Sequence, residues 1–386
     1  MGTSKKRNYN IDLLRIFSCI MIIALHETGF VYPYYFKWTC LQSVIRPCLW
    51  VFCAISGYYL LNSKDDIKSF YKKRLKKILI PFVIYSFFLL FANNIINHQP
   101  IFTNLNKSFL FNLYRGENSG HLWFIYSLLG IYLIIPFLKK MVEHLTNNQL
   151  LVLLFIMYFF IGINPEIESF GLSTKIVMPL NSVMLFYFIL GYYISKLKVN
   201  KKGFIILSVF EVINILSIVL FLRNANFIKA TLYTSSFNMI FGVVYYFIFF
   251  DKLKIPKKLN NIIDFISNRT YAIYIIHLFI LYRVSHYVNK PYTQGNIIYL
   301  VPIKVFLIFI VSLIITSIIY LTDKILKKVI DNIFIPVFDK LHERRVFIHS
   351  VEESFVNVFN EPMEELLTVN VENTIDSFDE SIESVE

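Results

Sequence analysis

The stretch that decides the fold is YNIDLLRIFSCIMIIALHETGF, Tyr9 to Phe30. Its middle is an apolar run of the kind that crosses a bilayer as a helix, which takes about 20 residues. Yet it carries Asp12, Arg15, His26 and Glu27. An ionisable group in such a segment is costly and is kept where it faces a cavity or a partner. Eleven positions separate Arg15 from His26. On a helix that is about three turns, so the two side chains leave in nearly the same direction, roughly 16 Å apart along the axis. Asp12 lies three residues before Arg15, and Cys19 and Ile22 fill the stripe between. Lys5, Lys6 and Arg7 precede the run as they would in a secretory signal. No small-residue cleavage site comes after it and Arg15 interrupts the apolar core, so the segment reads as a retained first helix.

The rest of the chain agrees. Of 386 residues, 56% are hydrophobic and 17% charged, more apolar than a soluble domain of this length. The fold class expected is all-α, a polytopic membrane helix bundle of about ten transmembrane helices. The spans fall near 11–30, 41–62, 78–97, 121–138, 149–163, 178–195, 203–222, 231–250, 270–288 and 299–322. Charge supports this count. The basic residues concentrate before the first span, after the last, and in alternate loops, as at Lys64 to Lys77, Lys139 and Lys140, Lys196 to Lys202 and Lys252 to Lys258. By the positive-inside rule this places both termini in the cytoplasm of a multi-pass protein of the cell (plasma) membrane. The same distribution makes the net charge of +12 a matter of topology and argues against a nucleic-acid partner.

The chain has four parts: a cytoplasmic N-terminus, 1–10; a transmembrane domain, 11–322; a basic juxtamembrane segment, 323–345; and a tail, 346–386, with eleven acidic residues and no Lys or Arg. That composition reads as disordered and cytoplasmic. The outer loop from His98 to Gly120 is long enough to fold over a site. Cys19, Cys40, Cys48 and Cys53 form no disulfide framework; Cys40 and Cys48 lie near one face, but free thiols are the expected state. No metal-ligand spacing appears. No internal repeat argues for a secondary transporter. The oligomeric state stays open, because packing and lipid-facing surfaces look alike in sequence.

Several stretches, in this order, carry a resemblance. They are R-IFSCIMIIAL-H in the first helix, VFCAISGYYL (Val51–Leu60), YKKRLKKILIP (Tyr71–Pro81), GHLWFIYSLLGIYLIIPFL (Gly120–Leu138) and NRTYAIYIIHLFI (Asn268–Ile280). Together they are similar to the motifs of the acyltransferase-3 family, membrane O-acyltransferases that modify bacterial surface glycans. The resemblance covers about residues 8–322, with Cys53 and Ala54 standing where the pattern often has aromatic or aliphatic residues. It implies transfer of an acyl group, acetyl being the commonest, from cytoplasmic acyl-CoA to a hydroxyl of a cell-surface or secreted polysaccharide or glycolipid. A related branch of the family implies the alternative, an exporter of a polysaccharide or lipid-linked sugar.

Each candidate has a plain reading beside the functional one. Arg15 either snorkels to headgroups with Asp12 or, with Arg74, holds the coenzyme's phosphates, which suit bidentate guanidinium. His26 is either an interhelical hydrogen-bonding residue or the catalytic group, as a base near its ordinary pKa of about 6.5 or as an acyl carrier. Arg46, His121 and Trp123 are either interfacial anchors or contacts to the acceptor. Glu211 and His277 sit inside spans: Glu211 is either a functional carboxylate or one protonated or paired between helices, with no motif to explain it, and His277 either faces the cavity or, as the favoured reading, makes an interhelical hydrogen bond; Arg283 and His286 read as boundary residues.

Overall fold

The computed structural model describes residues 7–30, 36–103, 105–116, 120–164, 176, 182–221, 237–288, 292–293 and 295–343, with side chains as far as 320. The expected acidic tail, 346–386, lies outside them. The chain divides into two compact units, residues 1–319 and 320–386; the helical bundle and its interior belong to the first.

Among the described residues all regular structure is helical. In chain order the helices are α1 (Tyr9–Glu27), α2 (Phe36–Ile45), α3 (Cys48–Leu60), α4 (Ile67–Ile96), α5 (Lys107–Arg115), α6 (Trp123–Glu143), α7 (Asn147–Ile163), α8 (Val183–Ile194), α9 (Lys201–Phe221), α10 (Phe237–Lys252), α11 (Asn260–Ser267), α12 (Thr270–Tyr287) and α13 (Ile297–Glu343). Among the described residues five segments are long and apolar enough to cross a membrane: Tyr9–Glu27, Cys40–Leu60, Ile67–Ile96, Trp123–Glu143 and Ile297–Tyr320. Of the ten spans read from hydropathy, five are met by this measure among the described residues, with two shorter apolar helices beside them, Asn147–Ile163 and Val183–Ile194. The expected spans 178–195, 203–222 and 231–250 each extend into residues outside the described ones. Many residues that the bundle leaves uncovered are large and apolar, Leu133, Phe137, Phe155, Phe210 and Phe306 among them, which suits lipid and not water.

Local chemistry explains the boundaries. The Asn8 side chain accepts from the N–H groups of Asn10 and Ile11 and starts α1. The block expected as one helix over 41–62 breaks at Arg46–Pro47, where proline contributes no donor. The Lys-rich run expected before the third span is itself helical. It continues through a π-helical turn, Leu75–Leu79, into Ile80–Ile96. The Tyr271 hydroxyl donates to the Ile78 carbonyl in that turn, meeting a backbone group that irregular geometry leaves to side chains. The 98–120 loop, expected on the outer side, contains α5, ended by Gly116 in the left-handed region at φ +81°.

Two features place the site. First, α1 is central: it contacts α2, α3, α10, α11 and α12. Asn10 of α1 donates to three carbonyls at the end of α10, those of Phe250, Asp251 and Leu253. Second, α3 and α8 lie backbone to backbone. A Cβ on Gly57 would stand 1.7 Å from the Phe188 carbonyl oxygen, and one on Gly191 would stand 1.9 Å from that of Ala54. Only glycine permits that approach. It draws the all-apolar α8 inward, with Tyr187 and Phe188 fully buried, and leaves room for a polar interior between α1, α4, α6 and α12. The four cysteines are free thiols, with Cys40 partly exposed and the others buried.

Candidate functional site

The interior holds a cavity of about 890 Å³, within the range of about 300–1,000 Å³ usual for small-molecule sites. At the end where α1 begins, its wall carries Arg7, Arg15, Arg74 and Lys77 against a single carboxylate, Asp12. Asp12 is buried at 4% exposure and is shared: Arg7 Nε donates to its Oδ2 at 2.5 Å and Arg15 Nη1 to its Oδ1 at 3.1 Å. Arg7 also pairs with Asp264 and donates to Ser267 Oγ at 2.7 Å. Arg15 lies over the Tyr59 ring at 5.8 Å. Arg74 has no carboxylate partner among the described residues; it lies between the rings of Phe70 (5.6 Å) and Tyr132 (6.0 Å), and its buried Nε finds no hydrogen bond there. Even with Asp264 counted beside Asp12, the four cations leave this mouth net positive, a setting that attracts phosphate.

Deeper in, the lining turns apolar, with Ile55, Ile125 and Leu128, and ends on Phe124 and Tyr274. Behind Tyr274 lie three imidazoles. The ring centroids of His26 and His277 are 5.1 Å apart, those of His121 and His277 5.3 Å, and those of His26 and His121 6.4 Å. Tyr274 touches both partners of His26, 5.9 Å from the His121 ring and 5.6 Å from that of His277, and its hydroxyl donates to the His121 carbonyl at 2.7 Å.

Two carbonyls orient the cluster. His121 Nε2 faces the Ile275 carbonyl at 3.0 Å and His277 Nδ1 faces that of Tyr274 at 2.6 Å. A carbonyl only accepts, so each of those nitrogens carries the hydrogen. His277 Nε2 is then an acceptor, buried with no hydrogen-bond partner among the described residues. His26, the least buried of the three, is the one with an uncommitted ring facing that pair. Among the described residues, no group of His, Cys, Asp and Glu is arranged to hold a metal, these imidazoles included.

The sequence-predicted residues thus fall into groups. Arg15 and Arg74 share the cavity wall; His26 and His121 share the imidazole cluster. His26 does not line the cavity itself; Tyr274, which does, touches its ring partners His121 and His277. Arg46 and Trp123 line neither. Arg46 Nε donates to Gln42 Oε1 at 3.0 Å, at the α2–α3 turn, and Trp123, 47% exposed, has its ring 6.5 Å from that of Trp50. Glu211 is buried on α9 and accepts from Asn214 at 3.2 Å, away from both groups.

Sequence reading undervalued three residues. His277 was expected to make an interhelical hydrogen bond; its bond is to its own helix, three residues back, and its ring joins the cluster. Lys304, in the last apolar block, pairs with Glu27 at 3.3 Å, with both side chains buried. A lone lysine inside an apolar run was a readable signal, but its partner was not. Tyr292 also donates to Glu27. Burial first, then that carboxylate, push the Tyr292 phenol up, so it stays a donor.

A helical bundle with apolar flanks, a cationic cavity and an imidazole cluster beyond it defines a membrane protein with a polar interior site. The comparisons agree with that class. The chain belongs to the acyltransferase-3 family: the sequence model of that family, described as an acyltransferase domain, matches residues 8–321. No curated protein and no solved structure gives a significant match. The protein is accordingly a membrane acyltransferase.

Proposed function

We infer that the protein is an O-acyltransferase of the plasma membrane, moving an acyl group, acetyl above all, from cytoplasmic acyl-CoA to a hydroxyl of a cell-surface or secreted polysaccharide or glycolipid. In this reading about ten helices cross the membrane and both termini are cytoplasmic, so the end of α1 that carries Arg15 faces the donor's compartment. The observation that carries the reading is the cavity itself: cationic where α1 begins, with Ile55, Ile125 and Leu128 further along, and ending at Phe124 and Tyr274, the latter in contact with two of the three histidines.

The residues divide the work. Arg15 and Arg74, with Arg7 and Lys77 beside them, hold the phosphates of the donor, and the apolar wall takes its thin pantetheine arm. The arm supplies a thioester, whose acyl carbon reaches the imidazoles once the Tyr274 ring turns aside. His26 takes the proton from the acceptor hydroxyl as that oxygen bonds to the acyl carbon. The carbon–sulfur bond then breaks, and the proton passes from His26 to the departing thiolate. Oxygen gains an acyl group, sulfur gains a proton, and no redox change occurs. A positioned general base accelerates such a step by about 10²–10⁴-fold. His277 Nε2, fixed as an acceptor, faces the imidazolium that forms, and His121 with Arg46 and Trp123 lies toward the acceptor side.

Mass spectrometry of surface glycans from cells with and without the gene tests this. The expected result is loss of an ester of defined mass, acetyl or another acyl, and failure of His26→Ala to restore it. Unchanged acylation together with polymer retained inside the cell would refute the reading and favour export.

A further inference from the structure

Helix α1 ends on a carboxylate. The backbone carbonyls at a helix C-terminus already gather partial negative charge, so Glu27 stands where an anion is locally unfavourable. It is also fully buried, at 0% exposure, which a charge tolerates only when paired. Both conditions are met from one side. Lys304 Nζ lies 3.3 Å from Glu27 Oε1 and is itself only 4% exposed. The Tyr292 hydroxyl donates to the same oxygen, and the Lys304 ammonium lies 4.7 Å from the centroid of the Tyr292 ring. Thr293 and Asn296 cap each other's backbone N–H groups just before α13, which fixes the base from which Lys304 reaches.

The residue after Glu27 is held from another side. Gln42 Nε2 donates to Thr28 Oγ1 at 2.6 Å and Trp38 Nε1 donates to the Thr28 carbonyl at 2.9 Å. The last turn of α1 is therefore tied both to α2 and to α13, with His26 on it. Consecutive helical residues leave the axis about 100° apart. Glu27 cannot face the imidazole cluster while His26 does; it points to α13 as His26 points to His121 and His277. Fixing one direction fixes the other.

We propose that Glu27, Lys304 and Tyr292 form a latch that sets the rotation of the last turn of α1 and so aims the His26 imidazole at His121 and His277. Glu27 is a positioning residue, acting through His26 and touching no reacting atom. Its importance for turnover rests on the catalytic role inferred above for His26; its effect on the direction of the His26 ring does not.

The test uses the full chain in lipid nanodiscs. Removing one member of a buried pair strands the other charge and destabilises strongly, so the variants keep charges balanced. They are E27Q/K304M, which removes both charges, the swap E27K/K304E, which reverses them, and Y292F, which removes one hydroxyl. Two readouts are taken: kcat and KM for acetyl-CoA, and the rate at which diethyl pyrocarbonate modifies His26, followed by peptide mass spectrometry. For E27Q/K304M the expected result is a kcat lower by roughly 10- to 100-fold, the scale of a misaligned catalytic group. KM should stay within about twofold, because the donor's phosphates bind at the other end of α1. The modification rate of His26 should change at least about threefold, since a redirected ring meets different solvent access. The swap should recover most of both properties, and Y292F should show the same pattern at smaller amplitude. The proposal is overturned if E27Q/K304M and Y292F leave kcat and His26 modification unchanged. It is equally overturned if kcat, KM and unfolding temperature fall together while His26 reactivity holds. Should E27Q/K304M not fold, Y292F and the swap decide by the same two readouts. Failure of the catalytic reading looks different: no variant, nor the parent, turns over acetyl-CoA, while the change in His26 modification persists.

Discussion

Arg74 offers the sharpest test of the donor site. Its guanidinium is held by the rings of Phe70 and Tyr132 and by no carboxylate among the described residues, and its buried Nε has no hydrogen-bond partner there. A phosphate in the cavity would therefore gain a charged donor that gives up no ion pair. A hydrogen bond to a charged group contributes about 1.5–3 kcal/mol, which is a factor of roughly 10 to 150 in affinity. Arg74 is only partly buried, so screening by salt moves the expectation toward the lower part of that range. Arg15 already shares Asp12 with Arg7, so Arg15→Met should cost less than Arg74→Met. Arg74→Lys should fall between parent and Met, since an ammonium is a point charge and loses the bidentate geometry. Equilibrium binding in nanodiscs would compare CoA, dephospho-CoA and pantetheine. Arg74→Met is expected to weaken CoA at least about tenfold and leave pantetheine unchanged. Loss of less than about twofold for CoA, or an equal loss for pantetheine, would refute the assignment of this mouth to phosphate.

Other consequences are as direct. His26→Gln should bind CoA as the parent does while losing about 10²-fold or more in turnover, measured as acetyl transfer in the same nanodiscs. Gly57→Ala places a methyl group where the Phe188 carbonyl oxygen stands, 1.7 Å from the new Cβ. Overpacking of that kind costs about 1–3 kcal/mol or more and should show as a lowered unfolding temperature in detergent. Tyr274→Phe removes the hydroxyl that donates to the His121 carbonyl; losing about 1 kcal/mol of hydrogen bonding should loosen the ring between cavity and imidazoles, read as a changed ratio of acetyl-CoA hydrolysis to transfer. A polar maleimide applied to the folded protein should label Cys40 ahead of Cys19, Cys48 and Cys53, which are buried; equal labelling of all four would contradict the packing of α1 and α3.

Much of the architecture was readable because bilayer physics constrains sequence strongly. Lengths and hydropathy announce membrane helices, and the helical period alone puts Arg15 and His26 on one face of α1. The number of crossings was less readable: among the described residues five segments qualify by length and composition, one of them, Cys40–Leu60, running through Pro47. The outer loop was expected to be able to cover a site; its helix α5 was hidden in a short, amphipathic run with no strong apolar stretch.

What the sequence by itself determined, then, was everything that depends on neighbours along one helix: the class, the stripe on α1, the cationic run of α4 and the family motifs. Tertiary structure alone decided which stripes meet. His277 lies 251 positions after His26, and Lys304 lies 277 positions after Glu27, so no local period couples them. Tyr274 is an ordinary aromatic until folding sets it against the cavity and two of the imidazoles. The physical reason is that a membrane helix satisfies its own backbone and gives little sign of its neighbours. Close packing at residues such as Gly57 and Gly191, and the pairing of buried charges, then select one arrangement of faces out of many that the same hydropathy allows.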